Sequence, residues 1–167
     1  RQSRCVDTRN YVLARDSLGS MDMNPKKPCN RIVSGEWIDP YVGRKIVNSI
    51  EIQIDHVVPL KNAWENGAWK WNHRRRCHYA NFIKYSEHLL SVSARENQRK
   101  SDRSPERYMP IVNRCKYLHE WLSIKAIWKL YLSIEEAQFI ASEMKSCSTQ
   151  DHIMDSKEYE TLTQQSE

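Results

Sequence analysis

Apolar positions along the chain fall into short runs with two different periods. Residues 6–18 carry Val12, Leu13 and Leu18 at helical spacing before Gly19, so an amphipathic helix is predicted there. Residues 31–38 (RIVSGEWI) and 44–54 (RKIVNSIEIQI) are rich in β-branched side chains, with a turn at Asp39-Pro40-Tyr41-Val42-Gly43 between them. Alternation at Ile50, Ile52 and Ile54 predicts one buried strand face that delivers the chain to Asp55-His56. Residues 60–66 and 73–81 read as helices, and Leu89-Leu90-Ser91-Val92 as a short strand. Ser93-Ala94-Arg95-Glu96 has the form of a capping box, which places Asn97 just past the first turn of a helix with Lys100 and Ser101 on its face. A stripe at Tyr117, Trp121, Ile124, Trp128 and Tyr131 marks a core-facing helix. Ser133-Ile134-Glu135-Glu136 opens another, ending near Cys147.

A chain of 167 residues suffices for one domain with a real core, and the clustered tryptophans suit a packed interior. Charge is unevenly placed. Asp151, Asp155, Glu158, Glu160 and Glu167 stand against Lys157 alone after Cys147, a net of −4, so the whole-chain +5 becomes +9 over residues 1–147. Residues 148–167 are therefore expected to be an acidic, flexible tail. A basic body favours a polyanionic partner, although the same charge also aids solubility. Five cysteines without a CxxC pair argue against structural zinc. Their wide spacing, and a start at Arg1 as if a leader had been removed, point to a secreted or periplasmic protein. The expected pairing is Cys5–Cys29 and Cys115–Cys147, with Cys77 a free thiol; sequence alone does not fix connectivity, and five reduced cysteines in a cytosolic protein are the alternative. No apolar run reaches the length of a membrane span, and a monomer is expected.

The chemistry concentrates at Ile54-Asp55-His56-Val57-Val58-Pro59-Leu60 and, about forty residues on, at Glu96-Asn97-Gln98-Arg99-Lys100. Asp55 offers an anionic oxygen to a hard cation, Asn97 a neutral one, and His56 a base that titrates near neutral pH. Neighbours in a regular strand point to opposite faces, so Asp55 and His56 are expected to share a site only if the strand ends and twists there. His73, His78, His119 and His152 read as surface residues. Arg74-Arg75-Arg76 is either a phosphate-tracking run or a solvated helix face.

The string Cys5-Val6-Asp7-Thr8-Arg9-Asn10, then Asp39-Pro40-Tyr41-Val42-Gly43, Gln53-Ile54-Asp55-His56-Val57-Val58, Ala63-Trp64, Leu89-Leu90-Ser91-Val92 and Asn97-Gln98-Arg99-Lys100-Ser101-Asp102 resembles the secreted, non-specific branch of the HNH, or ββα-metal, endonucleases. The likeness runs over residues 5–147. It implies an α+β fold in which a ββα-metal (His-Me finger) core sits inside one mainly helical domain. It also implies that Asp55 and Asn97 bind one divalent cation, with Mg²⁺ favoured and Mn²⁺, Ca²⁺ or Zn²⁺ as alternatives. His56 is then the general base, and Lys100, Arg99, Arg95 and Arg9 are phosphate-binding. The cysteines at 5, 29, 115 and 147 match the family's usual set. His88 stands where the family usually has Asn; it either braces the metal loop, sharing that role with Asn81, or enters the metal shell.

The activity this implies is hydrolysis of DNA, with RNA as a further candidate, to 5′-phosphate products with little sequence specificity. A non-catalytic basic nucleic-acid-binding protein and a toxin or effector nuclease with an immunity partner are the competing readings.

Overall fold

A computed structural model describes residues 7–26, 31–147 and 156–166. The expected Cys5–Cys29 pair lies outside them. Helix α1 (Thr8–Asp16) starts at Asp7, whose carboxylate caps the Asn10 amide at 2.6 Å. It is shorter than the sequence pattern predicts: Val12 and Leu13 are buried, and Leu18 lies beyond the helix in solvent.

Strands β1 (Asp22–Asn24), β2 (Arg31–Ile38) and β3 (Lys45–Asn48) form an antiparallel sheet in that order. Trp37 crosses its inner face, fully buried, and donates from Nε1 to Leu13 O at 2.8 Å. Gly35 makes room for it, because a Cβ there would sit 2.6 Å from the Trp37 ring.

The predicted strand over 44–54 is two strands. A 3-10 turn at Ser49–Glu51 breaks it, sending β3 to the first sheet and β4 (Ile52–His56) to a second. Ile50 sits in that turn and is exposed, so the Ile50-Ile52-Ile54 alternation does not describe one face. Arg9 holds the turn closed, donating to Ser49 O at 2.8 Å and Ile52 O at 3.0 Å.

β4 pairs antiparallel with β5 (Leu89–Ser93) in unbroken register, Asp55 opposite Leu90 and His56 opposite Leu89. Between them run α2 (Leu60–Glu65), a 3-10 turn at Ala68–Lys70 and α3 (His73–Ala80). α4 (Ala94–Lys100) follows β5 directly, capped by the Ser93 hydroxyl on the Glu96 amide. The order β4, β5, α4 is thus a hairpin with a helical excursion in it, closed by a short helix.

α5 (Arg114–Ile127) supplies the main core. Tyr117, Trp121 and Ile124 are buried along it with Trp128 just beyond, while Tyr131 falls outside the helix and is exposed. α6 (Ile134–Glu143) begins with the predicted capping box, Ser133 and Glu136 exchanging hydrogen bonds. Cys115–Cys147 is a disulfide that ties α5 to the end of α6, and Cys77 is free and exposed. No helix among the described residues is long and apolar enough to cross a membrane.

Part of the segment expected to be an acidic, flexible tail is helical. Ser156–Gln165 form helix α7, Leu162 enters the core beside α5, and the Ser166 hydroxyl donates to Ile127 O at 3.0 Å. The segment is acidic overall, yet Leu162 at helical phase and the Tyr159 and Ser166 hydroxyl bonds to the end of α5 dock it. Leu162→Ala should therefore lower unfolding stability by about 2 kcal/mol or more in urea titration. A loose tail would show no change.

Candidate active site

Side chains on β4 go to two places. Gln53 and Asp55 face α4, one turn of which sets Asn97 over Gln53 and Lys100 over Asp55. Asn97 Nδ2 donates to Gln53 Oε1 at 2.8 Å. Lys100 Nζ donates to Asp55 Oδ1 at 2.9 Å and to the carbonyl of His56 at 2.8 Å. Tyr41 donates its hydroxyl to the other oxygen of Asp55, Oδ2, at 2.6 Å.

This cluster is dry. Lys100 is 0% and Asp55 4% exposed, and Tyr108 and Tyr117 stand edge-on to the Tyr41 ring. Burial pushes the Lys100 ammonium below its ordinary pKa, opposed by the charge and hydrogen bond of Asp55. Burial also raises Tyr41 well above the tyrosine range, with Asp55 adding to it, so its phenol stays a donor.

His56 turns the other way, toward α3. Its Nε2 lies 3.0 Å from Ala80 O, and its ring lies nearly parallel to Tyr79 at 6.2 Å between centroids. A carbonyl only accepts, so Nε2 carries the proton and Nδ1 keeps its lone pair. Desolvation lowers the His56 pKa; the bond to Ala80 and the charge of Asp55 oppose this, and Lys100 reinforces it. A neutral imidazole with a fixed tautomer is the form that takes a proton from water.

His88 sits behind His56. It is 1% exposed, and its Nε2 donates to Tyr79 O at 2.8 Å. The last two carbonyls of α3 thus each receive an imidazole, Tyr79 O from His88 and Ala80 O from His56. Tyr79, Phe82 and Trp128 close around the His88 ring. Asn81 also secures this end of α3, donating to Cys77 O at 3.0 Å and accepting from the Thr8 hydroxyl at 2.8 Å.

Three expectations are corrected. Asp55 and His56 lie in continuous strand and point apart, so the strand does not twist both side chains into one site. Lys100 is no phosphate clamp, because it is sealed against Asp55. Arg9 is committed to the Ser49–Glu51 turn. Arg95 and Arg99 are exposed on α4, and Asp102 is paired with Lys61 at 2.6 Å.

A divalent cation does not fit Asp55 and Asn97 as they stand. Both Asp55 oxygens are taken, and a cation on Oδ1 would face the Lys100 ammonium on the same atom. Among the described residues no group of three or more His, Cys, Asp or Glu side chains could hold a metal.

Sequence reading missed Tyr41, Gln53 and Tyr79. Gln53 was legible in principle, two residues before Asp55 on the same strand face; Tyr41 was read only as part of a turn.

Residues 7–143 match the model of the GmrSD restriction endonuclease C-terminal domain. The chain belongs to that family. It is also 32% identical over 147 residues to an uncharacterized secreted protein of Arthroderma benhamiae, covering 87% of this chain and 70% of the relative. No solved structure matches it. The GmrSD match spans both faces of β4 and α4, so the His56 pocket and the Asp55–Lys100 pair both lie within it.

Two outcomes are expected of variants here. Lys100→Met leaves Asp55 buried beside only Tyr41 and should cost about 3–5 kcal/mol of stability, with Asp55→Asn on top recovering part of it; Arg99→Gln should stay within about 0.5 kcal/mol. Urea titrations of the three variants decide this. The second concerns His88, whose pKa is pushed down to about 3, first by burial, then by nearby His56 and His78, against the Tyr79 bond. The folded value lies below the unfolded ~6.5, so this stability is complete above pH 6.5 and is lost as pH falls toward 3. At pH 5 the loss is about 2 kcal/mol, and His88→Asn should abolish that part of the acid sensitivity. Equal pH slopes in wild type and variant would refute it.

Proposed function

We propose that this chain is a secreted endonuclease that hydrolyses phosphodiester bonds in nucleic acid, with His56 as the general base. The observation that carries this reading is the imidazole itself: Nε2 is pinned to Ala80 O, Nδ1 is left as acceptor, and burial keeps the ring neutral near pH 7. The GmrSD restriction endonuclease match supports the nuclease class, and the secreted relative supports export. The likeness of Gln53-Ile54-Asp55-His56-Val57-Val58 to the non-specific secreted branch supports little sequence preference and 5′-phosphate products.

His56 takes the proton of a water as that water attacks phosphorus in line with the leaving 3′ oxygen. Lys100 contributes from behind, by holding the His56 carbonyl and so the strand end that carries the base. Exposed Arg95 and Arg99 offer charge to the phosphate backbone, a contact that weakens with salt. The family resemblance implies a divalent cation, but Asp55 and Asn97 do not present a cage for it, and no step is assigned to one.

Supercoiled plasmid and single-stranded RNA, each incubated with wild type and His56→Ala, with Mg²⁺ and with EDTA, test this reading. Wild type should nick or degrade at least one polymer, and His56→Ala should lose about 100-fold or more of the rate. Cleavage should rise with pH to a plateau, with a midpoint below 6.5, because the base acts unprotonated and its pKa is lowered. Intact polymer in every wild-type arm would leave a non-catalytic binding protein.

A further inference from the structure

We propose that α2, the turn at Ala68–Lys70, α3 and Tyr131 form a stacking surface for single-stranded nucleic acid. This deepens the endonuclease reading and rests on it for the class of polymer.

Three large rings stand out from the fold on this segment. Trp64 is 47%, Trp69 55% and Tyr131 61% exposed. Each is joined by a cation: Arg76 lies 5.4 Å over the Trp64 ring, and Lys70 lies 5.2 Å over Trp69 and 5.4 Å over Tyr131. Tyr131 reaches the group from the connection between α5 and α6. Its amide donates to Asn66 O at 2.8 Å, and its ring packs over Gly67, where a Cβ would come within 3.3 Å of it. Gly67 has φ 128, so the backbone conformation and the close approach both favour glycine there.

Beyond Glu65 the charge along this excursion has one sign. No Asp or Glu occurs between Glu65 and Glu87, whereas Lys70, Arg74, Arg75, Arg76 and Lys84 do. Arg74 is exposed on α3, and Arg75 instead caps the inner rings of Trp71 and Trp128. Core packing explains that inner pair, since Trp128 is fully buried, but it does not explain Trp64 and Trp69. Half-exposed rings interleaved with cations are what successive bases and phosphates need. A duplex hides its base faces, so such a surface selects single strands. It is also placed for use: α3 is about 12 Å long, and its far end is Ala80, which holds His56.

Fluorescence anisotropy with labelled oligo-dT, oligo-U and a DNA duplex tests this, in EDTA and on a His56→Ala background so that nothing is cut. Trp64→Ala/Trp69→Ala should weaken oligo-dT or oligo-U binding about 25-fold or more, taking at least about fivefold per ring. Duplex binding should stay within about twofold, and Trp64→Phe/Trp69→Phe should retain most single-strand affinity because the stacking face survives. Which oligonucleotide binds names the sugar. Unchanged single-strand affinity in the alanine pair, or an equal loss for duplex and for heparin, would overturn the proposal. Tryptophan fluorescence of the wild type, titrated with oligo-dT or oligo-U, needs no variant: quenching supports stacking, and its absence refutes it. Plasmid cleavage by wild type is a separate readout, so loss of this surface and loss of the nuclease reading give different results.

Discussion

The buried ammonium of Lys100 is the contact on which the site is built. It joins the end of α4 to a carboxylate on β4 and to the carbonyl of the next residue, so one side chain fixes helix, strand and the backbone of His56 together. Fully removed from water, it is tolerable only because Asp55 meets it at 2.9 Å and Tyr41 completes the carboxylate's bonding. The aromatic wall of Tyr41, Tyr108 and Tyr117 keeps that pair dry and so keeps it strong. This arrangement also separates Asp55 from a metal-binding role, because its negative charge is already matched.

On the opposite face of the hairpin, the solution is a helix end. The C-terminal carbonyls of a helix lack intrahelical partners. In α3 two of them are met by His88 and His56, each from the hairpin that brackets the helical excursion. The same bonds that satisfy the helix fix the tautomer of His56. His88 bonds the neighbouring carbonyl of Tyr79 and leaves its own buried Nδ1 without a partner. Exposed tryptophans on the same excursion extend the basic face away from His56, which gives the loop between paired strands a role beyond connection.

Much of this was readable from local rules. The capping box at Ser133, the core stripe from Tyr117 to Trp128 and the short strand at Leu89 follow from spacing alone, since helix and strand periods act within a few residues. The 3-10 break at Ser49–Glu51 was not readable. Asn48 caps it locally through the Ile50 amide, but the Arg9 guanidinium that bonds the Ser49 and Ile52 carbonyls comes from some forty residues away. The docking of α7 was missed for a related reason: a single Leu162 carries little weight in a polar segment until α5 offers it a place.

By itself the sequence pointed to Asp55-His56 and to the helix bearing Asn97 and Lys100 as candidates, because those positions bring acid, base and cation into two short motifs. Only the tertiary structure decided which of them face each other. Strand geometry sends Asp55 to α4 and His56 to α3, and burial then converts Lys100 from a candidate phosphate ligand into the partner of Asp55. Residue type sets what a side chain can do; the water removed around it, and the partner that replaces that water, set what it does.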